Sequence, residues 1–259
     1  MTYIERMSDT SSHRLRLASW NIRAGLGTDL RRDALRAISG ISALKADIVA
    51  LQEADFRMGR RPTALPKESL IDHTGLCPVQ LAENDVSLGW HGVAVLAKPH
   101  IKAVDIHRLP LPGLEPRGAS VVDFDIGLRV VAVHLGLLRR DRRAQLGHIR
   151  EYLDDLEWMP TVMMGDFNEW HHSKGFERLD GFTVLAPGGR TYPSRLPVAP
   201  LDRFAHNDCC TVHPLPVPRS PSGPKASDHL PILVEVEIHN KAGHAQMPPE
   251  ERVTPSHLA

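Results

Sequence analysis

Cysteine is scarce in this chain. Three residues in 259, Cys77, Cys209 and Cys210, are odd in number and lack metal-ligand spacing, which excludes a disulfide framework and leaves them as reduced thiols. An excess of charge of one sign is also missing: Lys plus Arg and Asp plus Glu both total 31, with 15 histidines besides. A histone-like surface attracting phosphate everywhere is thereby excluded, though a local basic groove is not. No run approaches the roughly 18 apolar residues of a membrane span. The leading MTYIERMSDTSSHRLRL carries acidic and polar groups where a secretory signal needs an unbroken apolar segment. The chain is expected in the cytoplasm, as a monomer and without a transmembrane segment.

What is present is ordinary for a folded domain: 42% hydrophobic and 24% charged residues, over a length that suits one unit. Residues 1–12 and 239–259 are polar and expected to be flexible, leaving one folded domain over 13–238. The runs LRLASW, DIVALQ, GVAVLA, SVVDFDI, LRVVAVHL, TVMMGD and PILVEVEI, rich in Val, Ile and Leu, predict strands. Helices are predicted over 30–44 and over 141–156, the latter with Leu146, Ile149, Leu153 and Leu156 on one stripe. Residues 56–78, 187–200 and 214–224 read as long loops. A turn at Ile126-Gly127 joins two strands antiparallel, while the helices imply crossovers elsewhere. The expected fold class is α/β (α+β), mixed sheets covered by helices.

Polar residues recur where these strands end. Asn21 follows LRLASW, Glu53 follows DIVALQ, His134 closes VVAVH, and Asp166 and Asn168 end TVMMGDFN. Asp202 lies in PLDRF, and Asp228-His229 precede PILVEVEI. One such residue is ordinarily a cap or a turn former. Six places carrying carboxylate, imidazole and carboxamide groups are hard to explain as caps, because strand ends at one edge of a sheet converge on one cleft.

The segments SWNIRAG, IVALQEAD, HGVAVLAK, EPRGAS, VVAVHLG, MMGDFNEW, LDRF and SDHLPILVEV run in that order from about Arg14 to Ile238. Together they resemble the endonuclease/exonuclease/phosphatase superfamily, the deoxyribonuclease-I-like phosphoesterases. Each is short, but the ordered set spans more than 200 residues. The resemblance implies a four-layer α/β/β/α sandwich of two mixed β-sheets flanked by helices, with the active site at one end. It also implies hydrolysis of a phosphate ester with Mg²⁺ or Mn²⁺, and makes 13–238 the catalytic domain.

Cleaving a phosphate ester requires an activated water in line with the leaving oxygen, and positive charge or donors around the equatorial oxygens. A hard divalent ion supplies charge through oxygen ligands, and Mg²⁺ needs only one or two protein carboxylates. The resemblance places the metal on Glu53, with Asn21 supporting the ion or a phosphate oxygen and Asp228 reaching the same region. It makes His229 a general base or a charged phosphate donor, oriented by Asp202. Asp166 competes for water activation, with Asn168 holding the nucleophile or a phosphate oxygen. These two share a face if GDFN stays extended and otherwise lie in one tight loop. His134 stands where abasic-site nucleases carry Tyr. That resembles the deoxyribonuclease-I and sphingomyelinase branches, in which His donates to a phosphate oxygen or protonates the leaving group. Arg117 in EPRGAS either adds a fixed charge for substrate or is a plain surface arginine.

Other basic residues read two ways. Arg57, Arg60, Arg61 and Lys67 follow Glu53 and bind a polyanion or stay solvated. Arg139, Arg140, Arg142 and Arg143 open a helix, where cations are unfavourable and Asp141 is the local offset. Trp170 suits a cleft rim, stacking on a base or an acyl chain. The expected function is divalent-metal-dependent hydrolysis of a phosphodiester. A small-molecule or lipid-type ester is favoured over nucleic acid, since net charge is zero and aromatics reach only 5%. A DNA or RNA endonuclease or exonuclease is the alternative. A non-catalytic binding protein ranks last, because Glu53, Asp166, Asn168, Asp202 and His229 are all present.

Overall fold

Strands buried on both faces read as unbroken aliphatic runs, and those runs become the centres of two sheets. The computed structural model describes residues 14–217 and 225–239; the flexible ends expected at 1–12 and 239–259 lie outside these residues, apart from His239. In chain order the strands are β1 (Arg14–Asn21), β2 (Ile48–Gln52), β3 (Cys77–Pro78), β4 (Ala94–Ala97), β5 (Ala103–Leu111) and β6 (Arg117–Phe124). They continue as β7 (Leu128–His134), β8 (Thr161–Asp166), β9 (Thr183–Leu185), β10 (Asp202–His206), β11 (Cys210–Leu215) and β12 (Ile232–Ile238). One sheet has the order β11-β12-β1-β2-β4-β3 and the other β5-β6-β7-β8-β10-β9. The pairs β1–β2 and β7–β8 are parallel, bridged by the helices α1 (Ala34–Leu44) and α3 (Arg139–Asp154). The hairpin β6–β7 is antiparallel, as the Gly127 turn predicts.

Alternation along each central strand separates three apolar layers. Leu15, Leu17, Ile48 and Ala50 face Val130, Ala132, Val162 and Met164 between the sheets. Their neighbours Ala18, Trp20, Val49 and Leu51 pack on Ile38, Ile41 and Leu44 of α1 and on Leu70 of a further helix, α2 (Lys67–Thr74). On the far side Val131, Val133 and Met163 meet Leu146 and Ile149 of α3. The result is the four-layer, deoxyribonuclease-I-like sandwich of two mixed sheets.

Several boundaries differ from expectation. α1 starts at Ala34 rather than at residue 30, because the Asp33 side chain accepts from Arg36 N–H at 2.9 Å and caps the helix there. The stretch 56–78, expected as a loop, contains α2, which stops at Gly75 (φ 67°), and β3. Pro214, placed in a loop, lies inside β11. Strands β5, β9, β10 and β11 were not anticipated from the apolar pattern. All three cysteines are free thiols. Among the described residues no helix is long and apolar enough to cross a membrane.

Candidate active site

Strand register brings the polar ends together. Asn21 pairs with Gln52 beside Glu53 on the parallel β1–β2 ladder, and His134 pairs with Asp166 on the parallel β7–β8 ladder. Asp202, opening β10, lies opposite Asp166. The Asp166 position depends on Gly165, where a Cβ would stand 2.0 Å from the Val133 carbonyl oxygen, so only glycine lets β8 come this close to β7. The ends open on a cleft of about 340 Å³ lined by Asn21, Glu53, Arg117, His134, Asp166 and Asn168, together with Asp228 and His229. Of the polar strand-end residues singled out in the sequence, Asp202 alone lies behind the cleft wall, fully buried beneath His229.

The buried half of the site is a chain of fixed partners. His229 Nδ1 lies 2.9 Å from Asp202 Oδ2, which also accepts from the Thr191 hydroxyl. The His229 carbonyl accepts from Trp20 Nε1 at 3.0 Å, its N–H donates to Ser227 Oγ at 3.2 Å, and Tyr192 covers its ring with centroids 4.9 Å apart. Burial works against charge on His229, but the Asp202 and Asp166 carboxylates flanking it outweigh that cost and raise the imidazole to about 10. Burial raises the Asp166 carboxyl to about 6 although the His229 charge pulls it down. Burial, with the Arg117 charge next, holds the His134 imidazole well below its ordinary range, so it is neutral. The Nε2 atoms of His134 and His229 lie 3.6 and 3.7 Å from the same oxygen, Asp166 Oδ2.

GDFN does not stay extended. Asn168 is left-handed (φ 51°), its N–H donates to Asp166 Oδ1 at 2.9 Å, and its side chain donates to the Leu135 carbonyl at 2.8 Å. The two residues therefore lie in one tight loop. Its far side is held by Glu169, which pairs with Arg142 at 2.8 Å, while buried Arg203 donates to the His171 carbonyl at 2.8 Å. The cations opening α3 are thus offset chiefly by Glu169 and by Glu177, which faces Arg139 and Arg143, with Asp141 serving only Arg140.

The open half is different. Glu53 is also left-handed (φ 52°), which turns its carboxylate off the end of β2. Among the described residues, six of the eight non-glycine residues with positive φ (Arg23, Ala24, Glu53, Arg61, His91, Asn168) line this cleft or the hollows beside it, and such strain concentrates at functional sites. The Asn21 amide nitrogen donates to Asp166 Oδ2 at 3.1 Å and contacts Glu53 Oε1 at 3.4 Å, joining the two carboxylates; its oxygen accepts from Arg23 N–H at 3.1 Å. Arg57 lies 3.2 Å from Glu53, and Arg23 lies 3.3 Å from Asp228.

The carboxylate oxygens of Glu53 and Asp228 along this wall are the hard donors that Mg²⁺ or Mn²⁺ takes, and arginine side chains already bring positive charge to both. Asp166, Asp202 and His229 also bring ligand atoms within 4.8 Å of one another. There, however, Asp202 Oδ2 is committed to Nδ1 and Thr191, and the imidazolium itself is the cation between the carboxylates. The oxygen donors on the Glu53 side are thus of the kind that a hard cation takes.

Sequence reasoning missed Thr191, Tyr192 and Ser227 as supports of His229. Thr191 and Tyr192 lie in a proline-rich loop without local signal, whereas Ser227, whose Oγ also donates to the Asn21 carbonyl at 2.7 Å, stands beside the Asp228-His229 pair. Arg117 is buried rather than a surface residue and pairs with Glu115 at 2.6 Å. Trp170 is exposed at the rim, edge-on to Tyr192.

The Endonuclease/Exonuclease/phosphatase family profile matches residues 18–229. "Uncharacterized protein YbhP" of Escherichia coli is 31% identical over 228 residues, covering 80% of this chain and 87% of that protein. Among solved structures, an endonuclease/exonuclease/phosphatase from Beutenbergia cavernae superposes with a TM-score of 0.63 at 21% identity, covering 88% of this chain and 72% of that one. The mannosyl-6-phosphatase of Bacteroides thetaiotaomicron gives 0.66 at 16%, covering 86% and 99%. Truncated TDP2 of Caenorhabditis elegans gives 0.61 at 18%, covering 86% and 97%. At these identities the structural likenesses establish the fold.

Proposed function

The chain belongs to the endonuclease/exonuclease/phosphatase family, whose members are metal-dependent phosphoesterases, and from that premise we propose that it hydrolyses a phosphodiester of small-molecule or lipid type with Mg²⁺ or Mn²⁺. Glu53, with Asn21 and Asp228 on the same wall, would hold the ion, which when bound supplies positive charge to the phosphate oxygens. His229, kept charged by Asp202, donates to a non-bridging oxygen. Asp166 takes the proton of the attacking water at Oδ2, and the Asn21 amide keeps that carboxylate in place. Asn168 fixes the loop and contacts the nucleophile or a phosphate oxygen, His134 faces the leaving group, and Arg117 adds fixed positive charge.

The observation that carries this reading is the pair of imidazole Nε2 atoms around Asp166 Oδ2. At 3.6 and 3.7 Å both are beyond hydrogen-bond length, so neither is consumed by the carboxylate and both are within reach of an anion in the cleft.

Substrate class rests on the surroundings. The basic residues after Glu53 pair with Glu53 (Arg57) and with Asp85 (Arg60, and Lys67 through its carbonyl), but these exposed contacts are worth no more than about 1 kcal/mol each, so the choice rests on the rim. The rim carries exposed Met58, Leu137 and Trp170, which suit an ester with an apolar group. The test is a screen of purified protein with Mg²⁺ or Mn²⁺ against bis-p-nitrophenyl phosphate, sphingomyelin, lysophospholipids, plasmid DNA, abasic duplex and RNA. Turnover of a small or lipid ester is expected, abolished by EDTA and reduced by about 10³-fold or more in His229→Ala. Plasmid nicking lost in both controls would instead make the protein a nuclease. Turnover that survives EDTA would sink the metal-dependent reading.

A further inference from the structure

Beside the main cleft lies a smaller niche, of about 30 Å³, that shares Glu53, Arg57, Arg117 and His134 with it and adds Asp55, Arg61 and His91. At roughly 10–15 Å³ of such space per water-sized group, it holds about two or three, the scale of a phosphoryl group's oxygens and not of an acyl chain or a sugar ring.

Its charges are unequally matched. Asp55 spends both oxygens on backbone donors, Leu88 N–H at 2.7 Å and Gly89 N–H at 3.1 Å. Glu53 is taken by Arg57 and Asn21. Arg61 has no carboxylate within ion-pair distance among the described residues; its one side-chain partner is His91 Nδ1, at 3.2 Å. Arginine only donates, so His91 Nδ1 accepts and the ring proton is on Nε2. The imidazole also bonds to the Pro116 carbonyl, so that bond is made from Nε2, and burial followed by the Arg61 charge keeps the ring neutral. His91 is therefore a neutral strut. It ties Arg61, from the loop after β2, to the backbone immediately before Arg117. On the other side Arg117 is buried; its Nη2 pairs with Glu115 at 2.6 Å, but its Nε is without any acceptor. One guanidinium from the loop after β2 and one from the first residue of β6 are thus held at one niche, each with a donor that the protein does not satisfy.

We infer that this niche is a subsite for a second phosphoryl group, a terminal phosphate carried on the same substrate whose ester bond lies in the main cleft. Arg61 and Arg117 bind that group and His91 is a positioning residue. A terminal phosphate suits the niche by size and charge, and charge-assisted donors on two sides give geometric selectivity that a single surface arginine lacks. The inference rests on the phosphoesterase reading for the identity of the main cleft, but its test reads binding alone.

Isothermal titration of the full chain, with Mg²⁺ and in EDTA, compares thymidine 3′,5′-bisphosphate with thymidine 5′-monophosphate and with the dinucleotide pTpT, whose second phosphate is an internal diester. The bisphosphate is expected to bind at least about tenfold more tightly than either. Arg61→Gln, at a partly exposed position, removes that advantage, and Arg61→Lys keeps part of it. His91→Ala lowers the advantage, and His91→Asn, which restores an acceptor toward Arg61, recovers part. Equal affinity for mono- and bisphosphate, an advantage unchanged in Arg61→Gln, or pTpT binding as tightly as the bisphosphate would each overturn the subsite. Failure of every ester to turn over would remove the catalytic reading and leave these binding ratios to stand or fall separately.

Discussion

The two walls of the cleft carry the same kinds of ion pair in opposite physical states. On one wall the Asp202 and His229 side chains are 0% and 7% exposed; on the other those of Glu53 and Arg57 are 25% and 66% exposed. A buried pair must be satisfied by the fold itself, because either partner alone would be an uncompensated charge in a poor solvent. Hence the redundancy around His229: Asp202, Thr191, Ser227, Trp20 and Tyr192 all define one position for it. An exposed pair is worth about 0–1 kcal/mol and exchanges freely. Arg57 and Arg23 can therefore leave Glu53 and Asp228 when a better cation arrives. One wall is held in a single arrangement by the fold, and the other can exchange its partners.

The sharpest way to break that contrast is at Asp202. Asp202→Ala is expected to lower turnover by about 10²–10⁴-fold, because His229 loses both its orientation and its charge stabilisation. It should also destabilise the fold by roughly 3 kcal/mol, since removing one partner of a buried pair strands the other. Steady-state kinetics and urea unfolding check the two effects. Loss of activity with stability untouched would mean that the wall is less committed than its burial implies.

The central elements could be read from the sequence because of this same layering. β1, β2, β7 and β8 are covered on both faces, so their aliphatic runs leave no ambiguity. The unanticipated strands β3, β5, β9 and β11 are the four sheet edges, where one face or one ladder is open and where Pro78, Pro110 and Pro214 are tolerated. β10 was hidden for another reason. Asp202 and Arg203 are polar by type yet fully buried, their partners supplied by Thr191, His229 and distant backbone carbonyls that no local pattern contains. The same limit applies at the site. Asp228-His229 stands out as a motif, but Thr191 and Tyr192 owe their place to a loop that folds back on β10.

The intermediate effect belongs to Glu53. Glu53→Gln keeps the size of the side chain and the contact with Asn21, so its unfolding midpoint should shift by less than about 1 kcal/mol, the scale of an exposed pair. Turnover should nevertheless fall by about 100-fold, and more Mg²⁺ or Mn²⁺ should be needed for half-maximal activity. That outcome, function lost with stability retained, is the reverse of the coupling expected at Asp202. Unchanged metal dependence in this variant would move the ion to another wall.

The smallest expected effect is the most specific to an open wall. If Arg57 only occupies Glu53 until a cation displaces it, Arg57→Ala removes a competitor rather than a ligand. Mn²⁺ binding, measured by titration without substrate, should then tighten by about two- to threefold, equivalent to the few tenths of a kcal/mol that an exposed ion pair contributes. Stability should change by no more than the same amount. If binding instead weakens, Arg57 organises the carboxylate for the ion, and this wall is preorganised after all.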